Sequence, residues 1–123
     1  MTTKELGDLG EKMACEYLVE KGFKILGKNY RITFGEIDVV AAKKGVIHFV
    51  EVKTIASRGN SFFPEQHVDY KKQRKLRNMV QIWLSKNPSH QKSPCQIDIV
   101  AIVANPDTRV AKLHYFPNAI EEV

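Results

Sequence analysis

The chain has no hydrophobic run that approaches the roughly 20 apolar residues needed to cross a bilayer. Its first residues include acids and lead into an amphipathic helical pattern, unlike a signal or transit peptide. We therefore expect a cytoplasmic protein with no membrane partner.

Cysteine is scarce, and neither Cys15 nor Cys95 has the spacing of a metal motif. We expect two buried free thiols in a reducing compartment. The four histidines are scattered, and we assign them no role. A Ser/His/Asp set, a phosphate-binding glycine loop and a CxxC pair are also missing. These absences argue against serine-hydrolase, P-loop and thiol-redox chemistry.

No repeat, low-complexity tract or linker divides the sequence, so we expect a single compact domain over residues 1–123. Hydrophobic residues make up 43% of the chain, which is enough for a core. The net charge of +5 favours a polyanionic partner such as nucleic acid, although many basic proteins have other partners.

Hydrophobic periodicity and turn residues predict seven elements in the order αβββαββ. This order favours an α/β fold with a mixed central sheet flanked by helices. The predicted helices span 6–21 and 68–86, the strands span 23–26, 37–40, 46–52, 97–104 and 113–116, and the longer loops span 27–35 and 54–66.

Two acids in the central hairpin are the most informative feature of the chain. A turn centred on Lys44-Gly45 pairs residues whose numbers sum to eighty-nine, which places Asp38 opposite Glu51. Opposed residues lie about 5 Å apart at Cβ. Two carboxylates at that separation repel by roughly 3 kcal/mol at an effective dielectric near 20. A divalent cation would offset that repulsion.

The neighbouring residues fit a hydrolytic metal site. Asp38, Glu51 and the carbonyl of Val52 could supply oxygens to Mg²⁺ or Mn²⁺. Lys53, on the same face, could orient or deprotonate the attacking water or hold developing negative charge. The alternative is a solvated cross-strand charge ladder that includes Glu36, and the residues alone leave both interpretations open.

Two helical residues also have two interpretations each. Glu11 borders the apolar face of the first helix, so it could reach the metal or be a surface acid in the N-terminal half of a helix. Lys72 heads the apolar stripe of the second helix, formed by Leu76, Met79 and Trp83. It either extends outward to solvent or points into a polar pocket.

Basic and aromatic residues could contact a nucleic acid. Basic faces of the second helix could bind phosphates or simply be solvated. Phe62 and Phe63 could stack on unpaired bases or pin their loop to the core, and Tyr30-Arg31 has the same two interpretations. The candidate nucleic-acid contacts are Arg31, Arg58, Lys71, Lys72, Arg74 and Lys75.

Asp38 followed by Glu51-Val52-Lys53, within this element order, resembles the PD-(D/E)xK nuclease superfamily. Within it, the motifs GDLGE, NYR, GEID and FVEVKT at 7–11, 29–31, 35–38 and 49–54 are similar to those of the bacterial YraN family. That family is similar to the archaeal Holliday-junction resolvases. The resemblance covers nearly the whole chain.

The resemblance implies a restriction-endonuclease-like fold and Mg²⁺-dependent phosphodiester cleavage. It implies metal ligands at Asp38 and Glu51, a catalytic lysine at Lys53 and a helix-borne acid at Glu11, and Lys72 matches a lysine of the family. We expect an endonuclease acting on branched or otherwise non-B-form DNA, and symmetric cutting of a junction would require a homodimer. The alternative is a non-catalytic nucleic-acid-binding or protein-interaction module on the same fold.

Overall fold

The computed structural model describes residues 2–58 and 68–120. Its elements follow the predicted αβββαββ order, and a short 3₁₀ turn at Pro88–His90 follows the second helix. The helices and strands are α1 (Thr3–Glu20), β1 (Lys24–Ile32), β2 (Gly35–Lys43), β3 (Val46–Ala56), α2 (Tyr70–Lys86), β4 (Cys95–Ala104) and β5 (Ala111–Ile120).

The five strands form one mixed sheet in the order β1-β2-β3-β4-β5. Among the described strands, only β3 and β4 pair in parallel, and α2 lies on the crossover that a parallel pair requires. One apolar core lies between α2 and the sheet, and a second lies between α1 and the sheet. The predicted restriction-endonuclease-like arrangement, a mixed sheet with a helix on each side, is confirmed.

The central hairpin has the predicted register. The paired residues run from Lys43 and Val46 to Val39 and Val50, and every pair sums to eighty-nine. Lys44 and Gly45 have φ angles of 50° and 80°, the positive values that a tight two-residue hairpin turn requires. The turn therefore fixes which residues of β2 and β3 meet at the far end of the hairpin.

All five described strands are longer than predicted. β1 continues through most of the predicted loop at 27–35. A register shift after Ile25 and a positive φ at Asn29 accommodate these residues in an edge strand without ending its pairing with β2. β3 extends to Ala56, so the predicted loop at 54–66 begins later, and β5 extends to Ile120. Phe62 and Phe63 lie outside the described residues.

The second helix has the predicted buried stripe. It begins after Asp69, whose carboxylate accepts a hydrogen bond from the Lys72 backbone N–H at 2.8 Å, as an N-cap should. Its last residue is Lys86, and the C-cap Asn87 precedes Pro88. Its buried residues are Leu76, Met79, Val80 and Trp83. Because this stripe packs on the sheet, the N-terminal end of α2 lies beside β2 and β3.

Helix α1 approaches β3 closely at Gly10, and this contact gives a stability prediction. A Cβ added at Gly10 would lie 3.1 Å from Thr54 Cβ and closer still to Thr54 Oγ1. Gly10→Ala is therefore expected to destabilise the fold by about 1–3 kcal/mol through overpacking. Gly7→Ala, where an added Cβ meets nothing within 4 Å, should stabilise it by up to about 1 kcal/mol.

Urea unfolding of the two alanine variants measures this difference. In a Thr54→Ala background, the cost of Gly10→Ala should fall, because the overlapping hydroxyl is gone. Equal effects at the two glycines would contradict the close approach.

Cys15 is buried and Cys95 is half-buried, and both thiols are free. The prediction of buried free thiols is thus confirmed for the first and only partly for the second. Burial raises the pKa of both thiols. Across residues 2–58 and 68–120, no helix has the length and apolar character needed to cross a membrane.

Candidate active site

The hairpin brings Asp38 and Glu51 together away from solvent. The two residues are only 7% and 8% exposed. Beyond the last hairpin pair, Asp38 Oδ2 accepts a hydrogen bond from the Val52 backbone N–H at 2.8 Å. Burial, and then the negative charge of Glu51, raise the pKa of Asp38 to about 7. Because neither acid is solvated, a solvated charge ladder does not describe this pair.

Lys72 resolves one of the open alternatives. Its Nζ lies 3.1 Å from Glu51 Oε1, so the side chain points into a polar pocket. This pocket has a volume of about 370 Å³, and its lining includes Glu36, Glu51 and three lysines of α2. The lysines are Lys71, Lys72 and Lys75. An acidic floor with a basic rim suits a phosphate held beside a cation.

Glu11 lies against β1, near the same acids. Burial, and then the negative charges of Asp38, Asp8 and Glu36, raise its pKa. With its amide oriented to donate, the Asn29 nitrogen lies 3.0 and 3.2 Å from the two Glu11 carboxylate oxygens. On β1, Asn29 lies between two residues that pair with β2, and on β2, Asp38 lies between the partners of those two residues. This contact gives the NYR motif a role in holding the helix acid near Asp38.

Lys53 and Val52 adjoin Glu51 on β3. Lys53 is half-buried, and side chains alternate along a strand, so it projects from the same face as Glu51. The Val52 N–H is bound by Asp38. The roles of the Lys53 amine and the Val52 carbonyl stay predictions.

The remaining predicted basic residues are more scattered. Arg31 Nε donates to Glu36 Oε2 at 2.8 Å, and Arg58 Nε donates to Asp107 Oδ2 at 2.7 Å, both at exposed positions. Arg74 is exposed and outside the pocket lining. The structure thus brings Lys71, Lys72 and Lys75 to the pocket but not Arg74 or Arg58.

Comparison with known proteins gives the family. Residues 10–102 match the model described as uncharacterised protein family UPF0102. A UPF0102 protein of Dictyoglomus turgidum is 38% identical over 121 residues, which cover 97% of this chain and 99% of that protein. The chain belongs to the UPF0102 family. The resemblance to YraN is therefore confirmed, since UPF0102 is the YraN group of the restriction-endonuclease-like superfamily.

Other UPF0102 proteins are equally similar over most of their length. One from Caldanaerobacter subterraneus subsp. tengcongensis is 39% identical over 117 residues, covering 94% of each chain. One from Clostridioides difficile is 42% identical over 104 residues, covering 83% of this chain and 88% of that protein. Family membership supports the fold but does not by itself assign an activity.

The acid pair of this UPF0102 member is not a ready-made metal cage. Within residues 2–58 and 68–120, no three His, Cys, Asp or Glu side chains gather in a way that could hold a metal ion. Mg²⁺ commonly binds through one or two carboxylates and completes its shell with waters and substrate phosphates. Two carboxylates beside an open pocket are consistent with that mode of binding.

A buried polar network that the sequence analysis missed lies on β3, β4 and β5. Asp98 is fully buried and accepts hydrogen bonds from His48 Nδ1 and Tyr115 Oη, both at 2.6 Å. Gln96 Nε2 and the Asn118 N–H donate to its other oxygen at 2.7 and 2.8 Å. His48, to which we assigned no role, is thus a structural partner. The one available signal was an acid inside an otherwise apolar strand.

Proposed function

We propose that this protein is a metal-dependent endonuclease that hydrolyses phosphodiester bonds in branched or otherwise non-B-form DNA. The observation that carries the proposal is the buried pair Asp38 and Glu51, held beside a lysine-rimmed pocket. Burying two like charges is costly, and an acid with a strongly perturbed pKa beside an open pocket is a candidate for a functional site.

The residues present fit a divalent cation. Asp38 and Glu51 would hold Mg²⁺ or Mn²⁺, because a cation offsets both the burial and the repulsion from Glu51 that raise the pKa of Asp38 to about 7. Glu11 would complete the acidic shell through water, because no third acid of the described residues lies close enough to hold the ion together with the pair. The cation would supply neutralisation of the phosphate and a lower pKa for the attacking water.

The other residues of the site hold the substrate and the developing charge. Lys53 would orient the attacking water or stabilise negative charge on the phosphate oxygens. Lys71 and Lys75 rim the pocket at the beginning of α2, where the helix dipole also favours an anion. A phosphate would therefore lie between the acid pair and α2.

One observation favours the second candidate, a non-catalytic nucleic-acid-binding or protein-interaction module. Glu51 already has a cation partner in Lys72 at 3.1 Å, so part of the acid charge is balanced without a metal. In that case the lysine rim would bind phosphates but no bond would break.

Lys53→Met separates the two candidates. We expect the substitution to lower Mn²⁺-dependent cleavage by about 10²- to 10³-fold, because it removes a group that acts on the attacking water or the developing charge. DNA affinity, measured in Ca²⁺, should change by less than about threefold, because one phosphate contact contributes little. The assay compares four-way junctions, flaps, nicked duplexes, single strands, RNA and linear duplex.

Lys112→Met, an exposed substitution on β5, is the matched control and should cleave like the native protein. Cleavage that persists in Lys53→Met at the native rate would point to a contaminating nuclease. Binding without cleavage by the native protein on every substrate would favour the non-catalytic module.

A further inference from the structure

Lys72 occupies a position that helix stability does not explain. It lies in the first turn of α2, one turn before the buried Leu76. A cation at the N-terminal end of a helix is unfavourable, because the dipole is positive there. Asp69 caps this end through the Lys72 backbone N–H, which does not need the lysine side chain. The ammonium group is therefore placed for its contact with Glu51.

The ion pair joins a buried carboxylate to a partly exposed ammonium group. The Glu51 side chain is 9% exposed, whereas that of Lys72 is 42% exposed. Among the described residues, Lys72 alone forms an ion pair with either acid of the site. A lysine side chain is flexible and remains well hydrated when it swings outward. Glu51 is fixed by the sheet, so Lys72 is the partner that can leave.

We infer that Lys72 is an internal counter-cation that competes with the divalent cation for the Glu51 carboxylate, an inference that rests on the proposed function. Without metal, Lys72 balances the charge of Glu51. When a divalent cation binds, Lys72 is displaced into the pocket, where it becomes free to contact a substrate phosphate beside Lys71 and Lys75. Lys72 is thus a positioning residue that couples metal binding to phosphate binding.

This exchange has an energetic consequence that can be measured without DNA. A partly exposed ion pair is modest in strength, so the need to break it when the metal binds lowers the metal affinity of the native protein without preventing binding. Removing the ammonium group should then tighten metal binding. A lysine that only contacts phosphates would leave the metal affinity of the free protein unchanged.

Calorimetric titration of the DNA-free protein with Mn²⁺ tests the competition. Lys72→Met, similar in length but uncharged, should bind Mn²⁺ about fivefold more tightly, the factor that corresponds to an ion pair of about 1 kcal/mol. Lys72→Arg, which keeps the charge, should bind no more tightly than the native protein. Lys75→Met removes a charge from the same pocket without an ion pair to Glu51, and it should change the affinity less than twofold.

The outcomes separate this inference from the proposed function. Native binding with an unchanged or weaker affinity in Lys72→Met would overturn the competition and leave the nuclease proposal standing. Binding by Lys72→Met but not by the native protein would support the competition in a stronger form. Absence of Mn²⁺ binding in both proteins would overturn the metal site, and the competition with it.

Chemical acetylation of the native protein gives a second measurement that does not depend on a variant folding. An amine held by a carboxylate reacts slowly, and Lys75 serves as an internal reference in the same pocket. Adding Mn²⁺ should raise the ratio of Lys72 to Lys75 acetylation, read by mass spectrometry, at least about threefold, as expected for release of a weak ion pair. An unchanged ratio at saturating Mn²⁺ would overturn the displacement.

Discussion

Asp38→Asn is expected to give a protein that folds, is more stable than the native one at pH 8 and, under the proposed function, cleaves DNA far more slowly. Asparagine keeps an oxygen that can accept the Val52 N–H bond and an amide that can donate to Glu51. It removes the negative charge that Glu51 and burial oppose. Under the proposed function, loss of a carboxylate that holds the metal should lower cleavage by about 10³-fold.

The stability gain of Asp38→Asn should depend on pH in a defined direction. The pKa of Asp38 is raised from 3.8 to about 7 in the folded protein, so the folded state holds the proton more tightly than the unfolded state. Native stability is therefore highest below the unfolded pKa and falls as pH rises through about 7. The variant lacks this titration, and its advantage should grow to about 2 kcal/mol at pH 8.

Urea unfolding at pH 4, 6 and 8 in the presence of a chelator measures this dependence. Repeating the series with Mg²⁺ should stabilise only the native protein, because ligand binding to the folded state raises stability by mass action. Glu36→Gln, a substitution of an exposed acid of the same pocket that pairs with Arg31, is the matched control. It keeps Asp38, so its stability should follow the pH dependence of the native protein, and the difference between the two should change little from pH 4 to pH 8. A destabilised Asp38→Asn at pH 8 would mean that the carboxylate is structural.

The position of the acid pair could be predicted because it follows from local rules. Turn chemistry at Lys44-Gly45 sets the hairpin register, and the register determines that Asp38 and Glu51 meet. The partner of Lys72 could not be predicted to the same degree. Helical periodicity placed Lys72 on the apolar stripe, but only the packing of α2 on the sheet brings its amine to Glu51.

Other features depend on contacts between distant parts of the chain. β1 continues past Gly27 and Asn29 because pairing with β2 outweighs their poor strand propensity. Helix α1 and β1 meet through Glu11 and Asn29, a contact that no local pattern encodes. Sequence alone therefore identified the acids of the site more reliably than the residues that position them.

The hydrogen-bond partners of Asp98 illustrate the same limit. His48 precedes it by fifty residues, and the two meet only because β3 and β4 pair in parallel. Burial alone would raise the pKa of Asp98, but hydrogen bonds from His48, Tyr115, the Asn118 backbone and Gln96 lower it. The acid is therefore ionised and fully satisfied inside the sheet, which is the arrangement expected of a structural carboxylate.

Asp98→Ala is accordingly expected to destabilise the fold by about 3–5 kcal/mol, because it leaves the donors of the network buried without their acceptor. Tyr115→Phe removes one donor and keeps the other three, so it should cost only about 1 kcal/mol. Urea unfolding at pH 7 measures both.

Because the pKa of Asp98 is lowered from 3.8, the stability advantage of the native protein over Asp98→Ala should shrink as pH falls below that value. A loss of less than about 1 kcal/mol in Asp98→Ala would contradict the structural assignment.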